Sequence, residues 1–106
     1  MSPSGPVGAS ALAPLGTLLM LQEEVAIAER RRRAVKRGSQ LLDHLDELRR
    51  SLLVGGNPGA SLAALRAELA DEPGLIADPE LQSALADIEL RAAVEIAKLE
   101  RDAAAS

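Results

Sequence analysis

The chain has 106 residues, a net charge of −4 at neutral pH, and neither an aromatic residue nor a cysteine. This length allows one domain of ordinary size, and the lack of cysteine excludes a disulfide scaffold, thiolate chemistry and cysteine-based zinc sites. A core made only of Leu, Ile, Val and Ala buries less area per side chain than one with aromatic rings, so we expect marginal stability that a partner or second copy would raise.

The N-terminal composition predicts an unstructured arm. Residues 2–16 are mostly Pro, Gly, Ser and Ala, which bury too little apolar surface to offset the entropy of ordering, so we predict that residues 1–16 form a disordered arm. No Lys or Arg precedes the apolar run Leu18 to Leu21, which is far shorter than the ~20 residues of a membrane span. We therefore expect neither a signal peptide nor a transmembrane helix, and the lack of cysteine favours a cytoplasmic location.

Residues 17–28 predict a short amphipathic helix of their own. Thr17 is a suitable N-cap for a stripe of Leu18, Leu21 and Val25, whose spacing places them on one helix face. At 100° per residue that stripe lies roughly 140° from Leu41, so one straight helix cannot present both to the same core. We therefore predict a break or a bend near residues 26–29, followed by a three-helix domain over residues 29–106.

The first strong helical pattern runs from about Glu29 to Leu53 and carries a broad apolar arc. The arc consists of Ala34, Leu41, Leu45, Leu48 and Leu52, flanked by Val35, Leu42 and Leu53. Leu45 lies between the two edges, with Leu41 and Leu48 on one edge. The arc is wider than one neighbouring helix can cover, so the pattern favours core packing and partner binding equally. Gly38, in mid-arc, indicates the close approach of another helix or a kink.

Two further helices follow, each introduced by a capping residue and a proline. Asn57-Pro58 begins a short helix after the Val54-Gly55-Gly56 terminator, and Asp78-Pro79 begins a long one. Their apolar stripes are Leu62, Leu65 and Leu69 in the short helix, and Leu81, Leu85, Ile88, Ala92, Ile96 and Leu99 in the long one. Because short connections make successive helices antiparallel, we predict an all-α fold, a small antiparallel three-helix bundle or a helical hairpin.

The polar residues offer little for catalysis. His44 is the only histidine and lies beside Asp43 and one turn before Glu47 on the polar side of its helix, an arrangement typical of solvated charges. The sequence contains no phosphate-binding loop, paired-histidine helix or calcium-loop pattern. We therefore predict that the protein is not an enzyme and binds neither a metal nor a cofactor.

Residues 30–37 form a basic island in an acidic chain. The island contains Arg30, Arg31, Arg32, Arg33, Lys36 and Arg37 and no acidic residue, so the remaining residues carry a net charge of −10. Its charges spread around the helix axis, and the chain has no aromatic residue to stack on bases, so nucleic-acid binding is disfavoured. Contact with an acidic protein surface or with membrane headgroups stays open, as does a simply solvated helix end.

Four stretches of the sequence together are similar to one known family. The stretches are residues 33–37 (RAVKR), 41–48 (LLDHLDEL), 87–89 (DIE) and 91–100 (RAAVEIAKLE). They resemble the class II flagellar assembly regulator family of alphaproteobacteria, called FliX, over about residues 18–100, and the stretches in residues 87–100 are the most specific. The N-terminal arm matches only in composition.

The resemblance implies a regulator that couples completion of early flagellar structures to transcription of later flagellar genes. It would do so by binding the sigma-54-dependent activator FlbD, in the cytoplasm or peripheral to the membrane at the flagellar base, where a basal-body component is a further candidate partner. We expect the partner surface to be Leu41, Leu42, Leu45, Leu48 and Leu52, assisted electrostatically by the basic island. The alternative is a structural protein that uses the arc in a homodimer.

Overall fold

The fold consists of three α-helices. A computed structural model describes the backbone of residues 4–71, 74 and 76–105, and within these ranges the side chains from Pro14 onward. The helices are α1 (Ser4–Leu53), α2 (Gly59–Ala70) and α3 (Pro79–Ala105), and the described residues contain no strand. The predicted all-α class, with long, short and long helices, is confirmed.

Successive helices run in opposite directions, so α1 and α3 are parallel to each other. Arg31 of α1 forms an ion pair at 3.1 Å with Asp78, immediately before α3. Further along both helices, Gly38 lies beside Leu85 and Ile88. The end of α2 contacts the middle of α1 through the side chain of Arg37, so α2 runs back between them, as short connections require.

The core lies where all three helices meet and is entirely aliphatic. Its buried residues are Ala34, Leu41, Leu48, Leu65, Leu85, Ala92 and Ile96, with Leu45, Leu62, Leu69, Ile76, Leu81, Ile88 and Leu99 packed around them. The stripes predicted for α2 and α3 are confirmed in full. In α1 the buried residues extend only from Ala34 to Leu48, which is less than a third of that helix.

The helix α1 continues without interruption through residues 26–29, so the predicted break is wrong. The prediction assumed that Leu18, Leu21 and Val25 share the core of the later residues, but their side chains are 51–62% exposed. These three side chains do not pack against α2 or α3. The helix therefore needs no bend, even though they point to a different side of α1 from the core residues. The arm predicted to be disordered comprises residues 1–16, and α1 begins within it, at Ser4. Residues 1–3 lie outside the described ranges, so the disorder predicted for these three residues stays a prediction.

Two glycines end α1. Gly55 has a φ of +72°, in the left-handed region that favours glycine. The Gly56 N–H donates to the Ser51 carbonyl at 2.9 Å, and the Gly55 N–H donates to the Leu52 carbonyl at 3.3 Å. This is the Schellman pattern, which satisfies carbonyls that the helix leaves unpaired. The helix end predicted at Val54-Gly55-Gly56 is confirmed.

Asn57 and Asp78 cap the other two helices. The Asn57 Oδ1 accepts a hydrogen bond at 2.9 Å from the first N–H of α2, and the Asp78 Oδ1 accepts bonds at 3.1 and 3.2 Å in the first turn of α3. Such caps satisfy backbone donors at a helix N-terminus. The helix α3 begins at Pro79 as predicted, whereas α2 begins at Gly59, after Pro58.

Gly38 marks a close approach of α1 to α3. It is buried, and a methyl group added there would lie 3.5 and 3.6 Å from the terminal methyl carbons of Ile88 and Leu85. The predicted approach of another helix is confirmed, and α1 remains a regular helix at this point.

Candidate protein-binding groove

A groove runs between α1 and α3, and all the described residues that line it belong to these two helices. Its lower part, beside the beginning of α3, has a volume of about 160 Å³, and its upper part, beside the end of α1, about 420 Å³. The lower groove is lined mainly by Val35, Gly38, Ser39, Leu42, Leu81, Ala84 and Ile88. The upper groove is lined by Leu42, Leu45, Asp46, Leu48, Arg49, Leu52, Leu53, Arg91 and Glu95.

Two of the five leucines predicted to bind a partner are core residues. Leu41 is 0% exposed and Leu48 is 2% exposed, so the expectation that they form an accessible edge of the apolar arc is wrong. The reason is the position of α2, which packs against this flank of α1 and converts the edge into the centre of the core. Leu48 still contributes to the floor of the upper groove.

The other three predicted leucines line the groove. Leu42 and Leu52 are 40% and 45% exposed, and Leu45 is partly buried beside the core. Leu53, on the flank of the predicted arc, is more exposed than any of them. The structure therefore brings Leu42, Leu45, Leu52 and Leu53 together on the side of α1 that α3 covers only in part.

Charged residues of both signs surround the apolar floor of the upper groove. Asp46 and Arg49 project from α1, and Arg91 and Glu95 from α3. Glu95 pairs with Lys98 at 3.4 Å, while neither Arg49 nor Arg91 forms an ion pair with another described residue. An apolar centre with a charged rim is the usual composition of a protein-binding surface.

The basic island separates into residues with different roles. Arg31 pairs with Asp78 at 3.1 Å and Arg32 with Glu29 at 2.8 Å, and both arginines remain largely exposed. These pairs neutralise part of the island and, being at the surface, contribute little to stability.

The three remaining cations of the island, Arg30, Arg33 and Lys36, face the end of α2. Arg30, Arg33 and Lys36 line a cleft of about 420 Å³ that also includes Glu68 and Asp71. Within the ranges that the structure covers, none of the three cations forms an ion pair. They are the members of the island whose charge is available to an acidic surface.

Arg37 has a structural position that the sequence analysis missed. Its guanidinium donates through Nη1 to the carbonyls of Glu68, at 2.8 Å, and Asp71. Through Nη2 it donates to the carbonyl of Leu69 at 3.1 Å and to the Glu89 carboxylate at 3.2 Å. One side chain thus joins α1 to the last turn of α2 and to α3.

The expectation that Arg37 contacts a partner is wrong, because the residue is 6% exposed. A cation at a helix C-terminus satisfies unpaired carbonyls and interacts favourably with the helix dipole. The signal that could have revealed this role is its spacing, since Arg37 lies three residues after Ala34 and four before Leu41, on the core face.

The family of the chain follows from comparison with known sequences. A sequence model of the class II flagellar assembly regulator family, FliX, matches residues 2–100. The chain belongs to this family. The matched residues include both parts of the groove and the whole basic island, so these features lie within the FliX domain rather than beside it. The match describes the family as a class II flagellar assembly regulator, which confirms the resemblance of residues 18–100.

Similarity to an individual FliX protein supports the same assignment. Over 72 residues the chain is 43% identical to the flagellar assembly protein FliX of Caulobacter vibrioides, and the aligned segment covers 68% of this chain and 50% of that protein. The chain therefore spans about half the length of that relative. No solved structure matches the chain.

Two kinds of feature are absent from the part of the chain that the structure describes. Among the described residues, no group of three His, Asp or Glu side chains is placed to hold a metal ion. In the same ranges, no helix has the combination of length and hydropathy needed to cross a bilayer.

Proposed function

We propose that the protein is a non-enzymatic regulator of flagellar assembly that binds a sigma-54-dependent transcriptional activator similar to FlbD. Through this contact it would couple completion of early flagellar structures to transcription of late flagellar genes. The observation that supports the proposal best is the upper groove, where exposed leucines lie between arginines that have no ion-pair partner among the described residues. Membership of the flagellar assembly regulator family supports the biological process.

An α-helix of the partner fits the shape of the upper groove. Leu42 to Leu53 on α1 spans about 17 Å, at a rise of about 1.5 Å per residue, which corresponds to roughly three helical turns. A helix lying there would insert apolar residues at i, i+3 or i+4, and i+7 between α1 and α3. Arg49 and Arg91 would pair with acidic residues at its sides.

The basic cleft supplies a second, electrostatic contact in this proposal. Arg30, Arg33 and Lys36 lie on the side of α1 nearest α2, away from the groove, so they would guide an acidic partner before the apolar contact forms. Neutralising all three to Gln is expected to slow association at low salt and to change dissociation little. An association rate that is independent of these residues would contradict this role.

We infer that the regulator acts in the cytoplasm, close to the flagellar base, where a basal-body component is the further candidate partner. The same three cations would hold it at anionic headgroups as a peripheral protein, since each basic residue near such a surface contributes on the order of 1 kcal/mol. Binding to vesicles with anionic lipid should fall as salt rises. Equal binding to neutral vesicles would contradict the proposal.

The central test is the affinity for the purified activator of the same organism. Leu52→Gln removes an apolar contact from the upper groove without adding charge, and we expect affinity to fall on the order of tenfold. Leu90→Gln is the matched control, because Leu90 is exposed on α3 outside the groove. Equal affinities of the two variants would exclude the upper groove as the activator site.

The alternative function is structural, in a self-associating helical protein without a transcriptional role. The observation that favours it is the run of exposed aliphatic residues in the first part of α1. The two functions differ in cells, since loss of the regulator changes transcription from late flagellar promoters even when early structures are complete. Normal late transcription in a strain lacking the protein would favour the structural role.

A further inference from the structure

The first part of α1 extends beyond the bundle, and its apolar side chains from Leu18 to Val25 are left largely exposed by the part of the chain that the structure describes. We call residues 14–26 the N-terminal extension, because Ile27 is the first residue of α1 to share a cleft with the start of α3. Leu18, Leu19, Met20 and Leu21 are 51–65% exposed. An isolated helix of this length is marginal in water, and apolar exposure on this scale marks an interaction surface.

A stripe of exposed residues, apolar except for Arg32 and Ser39, continues from the extension into the lower groove with a regular spacing. Steps of three and four residues alternate along one stripe of α1, and every member is exposed: Leu18, Leu21, Val25, Ala28, Arg32, Val35, Ser39 and Leu42. This seven-residue repeat is the spacing of a coiled-coil seam, in which a second helix follows the stripe by supercoiling. The partner helix must therefore be long enough to span 24 residues or so.

We propose that two copies of the chain form an antiparallel dimer in which the extension of each copy fills the lower groove of the other. The helix that covers the stripe is then the α1 of a second copy, which has the required length. The contact is self-complementary, since each copy supplies one extension and one groove, and a twofold axis closes the assembly.

One register brings the larger apolar residues of the stripe together, and it places Arg32 of each copy opposite Ala28 of the other, close to the axis. With the twofold axis near Arg30, Leu18 lies opposite Leu42 and Val25 lies opposite Val35. Leu21 then lies opposite Ser39, where the small Ser and the neighbouring Ala84 leave room for the larger side chain. These are the layers that an antiparallel coiled coil forms between the first and fourth positions of its repeats. The apolar residues of the extension thus meet the apolar residues of the groove.

The charges of α1 favour the antiparallel direction. Residues 22–29 contain three acidic side chains and no basic one, whereas residues 30–37 contain six basic side chains and no acidic one. An antiparallel pair centred near Arg30 places the acidic segment of each copy alongside the basic segment of the other. A parallel pair would place like charges together along the same length, which is unfavourable.

The dimer and the activator site are tested by different measurements. The register places Leu15 of each copy opposite Leu45 of the other, so the dimer contact reaches the beginning of the upper groove and an activator helix would compete with it there. The mass of the chain in solution tests the dimer, whereas the affinity of Leu52→Gln for the activator tests the upper groove. Failure of one proposal can therefore be distinguished from failure of the other.

The first test is the mass of the full chain in solution across a concentration series. We expect a species of twice the 11.1 kDa chain mass. Val25→Glu should weaken dimerisation on the order of 100-fold by burying a charge in the seam. Met20→Glu, a control in the same extension but off the stripe, should dimerise normally. A monomer at all concentrations, or equal loss in both variants, would overturn the proposal.

The second test uses the lack of cysteine in the chain to define direction. Val25→Cys mixed with Val35→Cys should form an intermolecular disulfide, because the antiparallel register brings these positions within disulfide reach. Val25→Cys alone should not. Disulfide formation by Val25→Cys alone would indicate a parallel pair and overturn the register. If the chain is a monomer and its extension binds lipid vesicles, the exposed apolar residues of the extension contact a membrane and not a second copy, which would also overturn the proposal.

Discussion

Two regions of α1 differ in what stabilises them. Residues 34–48 are helical because Ala34, Leu41 and Leu48 are buried against α2 and α3. Residues 14–26 are equally helical and richer in aliphatic side chains, yet their leucines remain about half exposed. Apolar content alone therefore does not decide which part of a helix belongs to the core. The position of the neighbouring helices decides it.

Replacing a leucine by alanine should change the free energy of unfolding very differently in the two regions, and this is the largest difference that we expect. Leu41→Ala leaves a cavity in the core and is expected to lower the free energy of unfolding by about 2–5 kcal/mol. Leu19→Ala, in the exposed extension and off the coiled-coil stripe, should change it by no more than about 0.5 kcal/mol. Denaturant unfolding of both variants gives the comparison. Similar losses in the two variants would mean that the extension packs as firmly as the core.

Arg37 gives a smaller but more specific test of the bundle region. Arg37→Ala removes the charged donor to three carbonyls at the end of α2, at an expected cost of about 2–3 kcal/mol in unfolding free energy. Arg37→Lys should restore little of this, since an ammonium group lacks the planar fork of a guanidinium. Arg33→Ala, an exposed control from the same basic island, should be nearly neutral. A neutral Arg37→Ala would contradict the assigned role.

Gly38 should give the smallest effect, and one of opposite sign. Gly38→Ala improves helix propensity by about 0.8–1 kcal/mol. The added methyl group would meet Leu85 and Ile88 at ordinary contact distances of 3.6 and 3.5 Å. A modest rise in melting temperature is therefore expected. A fall would show that α1 and α3 approach each other more closely than these distances indicate.

The sequence predicts most of the fold because its signals are local. The cap of Asp78 before Pro79 and the 3.6-residue stripe from Leu81 to Leu99 determine α3 from neighbouring residues alone. The glycine terminator of α1 is local in the same sense. Each of these features depends on backbone donors, acceptors and faces within one or two turns.

The site is less predictable because it depends on where α2 packs. An apolar arc gives no indication of which flank a short helix will cover, so Leu41 and Leu48 could not be separated from Leu42 and Leu52. Arg37 likewise finds its carbonyls on a helix more than thirty residues away. The break predicted near residues 26–29 failed for the same reason, since it assumed that every apolar stripe packs inside its own molecule.

The most direct measurement for the activator site is a leucine-methyl NMR spectrum of the chain, with and without the purified activator. The chain has no Phe, Trp or Tyr, so a large ring-current shift of methyl groups remote from His44, such as those of Leu52 and Leu53, must come from the partner. Binding in the upper groove predicts the largest changes at Leu45, Leu52 and Leu53, with Leu90 unaffected. Changes confined to Leu62 and Leu69 of α2, in a sample where the activator is bound, would contradict the account.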